Sequence, residues 1–181
     1  MEIISGRPAS MEGKLEKEVR VYDLLDQLEI PYEIVEHEAT PTMEACQGID
    51  HILGIRMCKN LFLCNRQQTQ FYMLMMPDDK PFKTKELSKQ IGSARLSFAK
   101  PEAMEAYLGI TPGAVSIMGL MNDTENKVQL LVDEDLMVEE YIGCHPCVNT
   151  ASMKLKREDV FGKFLDAVHH KMVTVTLVGV E

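Results

Sequence analysis

Two apolar runs separated by a polar turn constrain this chain more than any other feature. Lys59-Asn60-Leu61-Phe62-Leu63-Cys64 and Phe71-Tyr72-Met73-Leu74-Met75-Met76 stand on either side of Asn65-Arg66-Gln67-Gln68-Thr69. Runs of this length around a turn-forming segment predict a β-hairpin. Both are nearly continuous rather than alternating, so both faces of the hairpin are expected to be covered.

The flanking segments supply that cover. Leu15, Val19, Tyr22, Leu25 and Leu28 recur at helical spacing with charged residues between them, and Pro31 stops the helix. Residues 1–12 are expected to be a flexible N-terminus. Tyr32 to His37 reads as a short strand. Thr40-Pro41-Thr42 is a helix-start signal, with a short helix through Cys46. Pro77 to Pro81 ends the second run of the hairpin. A helix at 84–90 and a strand at 94–98 follow, and then a helix that Pro101 opens and Gly109 closes.

Thr111-Pro112-Gly113 is a turn leading into an expected strand, Ala114–Met118. Asn122-Asp123-Thr124-Glu125-Asn126 is another, and Val128–Val132 is expected to complete a second hairpin with it. Asp133 to Val138 reads as one helical turn. Phe161, Phe164, Leu165 and Val168 mark a last helix, and Val173–Val178 a last strand. Interleaved hairpins and helices predict an α+β class: one compact domain over 1–181, with a mixed, largely antiparallel sheet flanked by helices.

Composition narrows the function. The 181 residues, 45% hydrophobic, suffice for one core, and no linker divides them. No apolar run reaches the length of a membrane span, and the start lacks the basic-then-apolar pattern of a signal peptide. Five cysteines at irregular spacing argue against a disulfide framework and for a reducing, cytoplasmic setting. A net charge of −9 is wrong for a general nucleic-acid binder. Yet Lys80–Lys100 holds six basic residues against one acid, +5 net, leaving −14 for the remainder. That segment, with Lys83, Lys85 and Lys89 at its centre, is either a solvated lysine face or a phosphate-binding patch.

The densest set of reactive groups is Tyr141-Ile142-Gly143-Cys144-His145-Pro146-Cys147-Val148-Asn149-Thr150. Gly143 and Pro146 bracket His145, which is either a structural histidine or a site residue in a shaped loop. Cys144 and Cys147 form one C-x-x-C with no partner pair for zinc. The residues after it are strand-prone, whereas a thioredoxin-like pair needs a helix there. Two buried thiols is the better reading, and no metal is expected. Lys59 and Asn60 sit at a strand entry, either incidental or aimed at an anion. Gly109 and Gly113 bracket a loop that is either plain turn chemistry or a source of backbone N–H groups for an oxyanion.

Five segments in order carry a resemblance: Lys59-Asn60-Leu61-Phe62-Leu63, Arg95-Leu96-Ser97-Phe98, the run from Leu108 to Ser116, Asn122-Asp123, and Gly143 to Thr150. Together they resemble the YbaK-like prolyl-tRNA-editing family over roughly residues 15–170, in particular its free-standing members that hydrolyse Ala-tRNA(Pro). The resemblance implies a curved mixed sheet flanked by helices and a trans-editing deacylase that needs no cofactor. It implies mischarged tRNA(Pro) as partner, and prolyl-tRNA synthetase as a further one. Lys59 and His145 would be the catalytic residues, with Lys59 near the terminal adenosine and its phosphate. Asn60, Gly113, Ala114, Val115, Ser116 and Asn149 would bind substrate, and Lys83, Lys85 and Lys89 the tRNA. The family's G-x-x-x-P loop departs here, because Ile117 stands where the motif has Pro. A binding module of the same fold without catalysis is the alternative.

Overall fold

The computed structural model describes residues 2–39, 43–56 and 58–179. The helix-start signal Thr40-Pro41-Thr42 lies outside the described residues. In chain order the elements are β1 (Ile3–Ser5), α1 (Glu16–Gln27), β2 (Tyr32–Glu36), α2 (Met43–Leu53), β3 (Cys58–Cys64), β4 (Phe71–Pro77), α3 (Thr84–Ile91), β5 (Ser97–Phe98) and α4 (Pro101–Leu108). A 3₁₀ turn at Ile117–Asn122 then leads to β6 (Val128–Asp133), and another at Glu134–Val138 to β7 (Tyr141–Cys144) and β8 (Ala151–Lys156). The last helix has three parts: α5 (Arg157–Asp159), a π-wound turn (Val160–Phe164) and α6 (Leu165–Ala167). β9 (Met172–Val175) follows.

The hairpin forms as its apolar runs require, with β3 and β4 paired from Cys58↔Pro77 to Cys64↔Phe71. Each face has its own cover. Met73 and Met75 are buried beside Phe62 in the main core, while Leu74 and Met76 are buried in a second cluster with Leu63 and Leu87. Fully withdrawing one such side chain from water is worth about 1.5–3 kcal/mol. The two-sided burial removes the period-2 pattern from the sequence.

The strands divide between two sheets, in orders β1-β2-β8-β7 and β5-β3-β4-β6-β9. The first is antiparallel throughout. The second is antiparallel from β5 to β4 and parallel from β4 through β6 to β9. Both sheets contribute to the main core, with Ile34, Ile142 and Met153 from the first meeting Phe62, Met73 and Leu130 from the second. Val21, Tyr22 and Leu25 of α1 and Val160 and Phe164 of the last helix complete it. α2 packs Ile49 and Leu53 on Val35, at the outer side of the first sheet. The α+β class and the predominance of antiparallel pairing match the sequence expectation.

Three expectations meet a different local structure. Residues 1–12 include a paired strand, with Ile3 opposite Val35. Ala114–Met118 is not a strand: the Ser116 hydroxyl caps the 3₁₀ turn at Ile117–Asn122 by accepting from the Met118 N–H at 3.1 Å. Val128–Val132 therefore has no hairpin partner there and pairs in parallel with β4, from Phe71↔Val128 to Met75↔Val132. An apolar run signals burial but not its partner, and parallel pairing needs a long crossover, here α3, β5 and α4. Gly109 ends α4 as expected, in the left-handed region at φ +66°. A Cβ there would lie 2.9 Å from the Asn122 amide nitrogen, which itself donates to the Leu108 carbonyl at 2.8 Å.

Among the described residues no helix is long and apolar enough to cross a membrane.

Candidate active site

β7 and β8 run antiparallel with Cys144 opposite Met153, and His145–Thr150 joins them. Three hydrogen bonds hold this loop. The Ser116 hydroxyl donates to the His145 carbonyl (2.6 Å), His145 Nδ1–H donates to the Ala151 carbonyl (2.8 Å), and the His37 backbone N–H donates to the Thr150 carbonyl (2.9 Å). Cys147 closes the turn in the left-handed region, at φ +64°. Gly143 lets the Ile55 side chain pack onto the strand, since any Cβ at 143 would occupy the same space.

A cavity of about 100 Å³ opens beside the loop. Its polar wall is made by Asp50, Asn60, His145 and Ser152, with Arg56 also lining it. Ile49, Ile55, Gly143 and the thiols of Cys58 and Cys144 form the rest. These residues come from α2, the segment that follows it, β3, β7, the loop and β8, so both sheets build the site.

The electrostatics follow from burial. Desolvation holds the His145 imidazole below the ordinary histidine range, and neighbouring His37 pushes the same way, against the hydrogen bond to Ala151. His145 is therefore neutral, with its proton on Nδ1 and a lone pair at Nε2. Beside it, Ser152 Oγ lies 2.9 Å from His37 Nε2, while His37 Nδ1 lies 2.8 Å from the Glu38 carbonyl. The carbonyl can only accept, so His37 donates to it through Nδ1–H. Burial, with a contribution from Asp78, pushes the Asp50 carboxyl up to about 6. The Asn60 side-chain oxygen is buried without a hydrogen-bond partner.

Cys58, Cys144 and Cys147 are thiols at neutral pH. Burial pushes Cys58 and Cys147 up to about 12 and Cys144 higher still. Nucleophilic attack and metal ligation both need the thiolate. Among the described residues no group of three or more His, Cys, Asp or Glu side chains is placed to hold a metal ion.

The residues singled out in the sequence fall in four places. Asn60 and His145 share the cavity. Gly113, at φ +92°, lies against Asn149, whose amide nitrogen would be 3.7 Å from a Cβ there. Asn149 lines a separate cavity of about 370 Å³ with Thr111, Lys14 and Lys17. Ala114 is buried, Val115 partly so, and Ser116 is wholly buried behind the loop, its hydroxyl committed to His145 and Met118. Lys59 alternates with Asn60 along β3 and so leaves the opposite face, where its ammonium donates to the Lys80 carbonyl. On that side α3 displays Lys85 and Lys89, with Lys83 just before its first turn.

Sequence reasoning missed Asp50, Arg56, Ser152 and the part played by His37. Ser152 stands two residues beyond the flagged stretch, and a strand assigned from Ala151 would have turned it to a definite face. Asp50 carries no local signal, since it is one acid on a helix.

The comparisons place the chain among known proteins. The aminoacyl-tRNA editing domain model matches residues 37–162, which contain every residue lining the cavity. The prolyl-tRNA editing protein ProX of Acetoanaerobium sticklandii is 35% identical over 75% of this chain and 83% of its own length. The prolyl-tRNA synthetase associated domain-containing protein 1 of Mus musculus is 31% identical over 81% of this chain and 88% of its own. A solved structure described as a candidate trans-editing enzyme for prolyl-tRNA synthetase superposes with a TM-score of 0.67, at 15% identity, over 91% of this chain and 99% of that one. That last likeness is one of fold.

Proposed function

The chain belongs to the aminoacyl-tRNA editing domain family, and from that membership we propose that it is a trans-editing deacylase, cleaving the ester of a mischarged tRNA, foremost Ala-tRNA(Pro). The observation that carries this reading is the neutral His145, with Nδ1 held by the Ala151 carbonyl at 2.8 Å and Nε2 without a hydrogen bond among the described residues, beside a small cavity. An aminoacyl ester is already activated, so positioning and electrostatic stabilisation supply much of the rate. His145 Nε2 accepts a proton from the attacking water or orients the vicinal ribose hydroxyl. Asn60 holds the aminoacyl group from the β3 side.

A cavity of about 100 Å³ is below the usual range for ligand pockets and suits a small side chain. Prolyl exclusion by size is worth about 10–200-fold. Gly113 and Asn149 stand on the other side of the loop, where the tRNA end of the ester would approach. Lys59, on the face of β3 opposite the cavity, serves the body of the tRNA rather than the ester, together with Lys83, Lys85 and Lys89. Lys80 does not join them, because its ammonium lies 2.8 Å from both Asp133 and Asp135. Prolyl-tRNA synthetase is the partner this reading suggests.

Deacylation of a panel of aminoacyl-tRNAs tests the proposal. Ala-tRNA(Pro) should be cleaved and Pro-tRNA(Pro) spared. Tight binding of Ala-tRNA(Pro) with no cleavage would establish a non-catalytic module instead.

A further inference from the structure

Two acceptors of the cavity handle no proton in the hydrolysis described above: Asp50 has no part in it, and Asn60 only holds the aminoacyl group. Asp50 comes from α2, and the side-chain oxygen of Asn60 from β3. We propose that these two acceptors seat the α-ammonium group of the aminoacyl ester. The proposal rests on the deacylase reading and names the part of the substrate that this wall recognises.

Three observations support it. The Asn60 side-chain oxygen is buried and accepts no hydrogen bond, and a buried acceptor without a donor is expected where a ligand supplies one. Asp50 has no ion pair or side-chain hydrogen bond among the described residues. The one cationic side chain lining the cavity, Arg56, is directed elsewhere, to Asp79 at 3.3 Å and Glu139 at 3.4 Å. Among the described residues Asp50 thus has no cation paired with it, since the only charged neighbour lining the cavity, Arg56, is engaged by Asp79 and Glu139.

The chemistry of the missing group follows. Both acceptors call for a donor, and the carboxylate calls for a positive one. A phosphate or carboxylate ligand would be repelled. The volume of about 100 Å³ limits the cation to a small one. A primary ammonium has three donors on one atom, enough for Asp50 and Asn60 together. In an aminoacyl ester that group lies one carbon from the carbonyl, so seating it would hold the ester carbonyl near His145. The raised pKa of Asp50 agrees, since an approaching cation relieves the cost that burial and Asp78 impose.

The test compares an alanyl group with a lactyl group, in which a hydroxyl replaces the ammonium. Two pairs are used: alanyl- and lactyl-tRNA(Pro) for cleavage, and the non-hydrolysable 3′-alanylamino and 3′-lactylamino analogues of adenosine for binding. The wild type should favour alanyl by about tenfold or more in kcat/KM and in Kd, the scale of one charge-assisted contact. Asp50→Asn should shrink that ratio to about twofold or less. Equal treatment of the two groups by the wild type overturns the proposal, whatever the variant does. An unchanged ratio in Asp50→Asn also overturns it. If the wild type binds and discriminates between the amides but cleaves neither ester, the ammonium seat stands and the deacylase reading falls. Absence of both cleavage and binding overturns both.

Discussion

Lys59 and Asn60 are neighbours in sequence and open onto two unlike regions. On the Lys59 side, charges are matched. Its ammonium donates to the Lys80 carbonyl, and the Lys80 ammonium reaches Asp133, Asp135 and the Leu177 carbonyl. On the Asn60 side, groups are left open among the described residues: the Asn60 oxygen without a donor, Asp50 without a cation and a free nitrogen on His145. Polar groups that satisfy one another hold a fold together, whereas buried groups left unsatisfied are kept at a cost that function explains. The contrast teaches that the richer charge cluster is the scaffold and the poorer one the site.

The sharpest way to break this comparison is to remove Asp133, whose carboxylate is fully buried. Asp133→Ala leaves the Lys80 ammonium without its buried partner and should destabilise the fold by about 3–5 kcal/mol. Urea unfolding measures it, and a loss under about 1 kcal/mol would mean the Lys80 cluster is not the scaffold. On the other side, His145→Ala should lower deacylation by about 10–1000-fold, the span for one proton-handling or positioning group, with unfolding much less affected. A variant that unfolds instead would make His145 a structural residue. The pH profile sharpens the same point. Because burial depresses this imidazole, its neutral form persists to more acid pH than an ordinary histidine's. In an Asp50→Asn background, where the carboxyl near 6 no longer titrates, activity should stay level as pH falls to the usual histidine range and drop only below it, and adding His145→Ala should remove that limb.

Two smaller effects probe the outer regions. Lys59→Ala, and separately the triple change of Lys83, Lys85 and Lys89 to Glu, should raise KM for tRNA while sparing an aminoacyl-adenosine mimic. The rise should steepen at low salt, because each phosphate contact releases counterions. Equal effects on both substrates would place Lys59 in the cavity after all; no effect from the triple change would make the α3 lysines a solvated face. The least consequence for turnover is expected at Cys144 and Cys147. Their double Ser variant should keep its activity while losing about 1–3 kcal/mol of stability per buried hydroxyl left unpaired. Loss of turnover in a folded variant would assign the thiols a part in the chemistry.

How far the site could be read before folding differs residue by residue. His145 was legible because Gly143 and Pro146 frame it within a polar stretch between apolar runs. Asn60 was legible through the resemblance. Its unsatisfied oxygen was not, since a missing partner is a property of the surroundings. The sequence places Ser116 in a substrate-binding run, whereas its full burial with a 2.6 Å bond to the His145 carbonyl has it gripping the loop from behind. The locally basic stretch was legible as +5, yet Lys80 belongs to an ion cluster whose carboxylates lie more than fifty positions away.

By itself the sequence determined what short-range chemistry can dictate. The hairpin of β3 and β4 follows from two apolar runs around a polar turn. α1 follows from its apolar spacing, and the ends of α4 from Pro101 and Gly109. Each rests on neighbours within a few residues, where backbone preference and periodicity act. Tertiary structure alone decided that β6 lies parallel to β4, that the strands form two sheets, and that Asp50, Asn60, His145 and Ser152 meet around one cavity. Those outcomes depend on which buried surfaces meet once the crossover is made. Apolar burial is non-directional, so a hydrophobic pattern states that a segment goes inside without stating what it will find there.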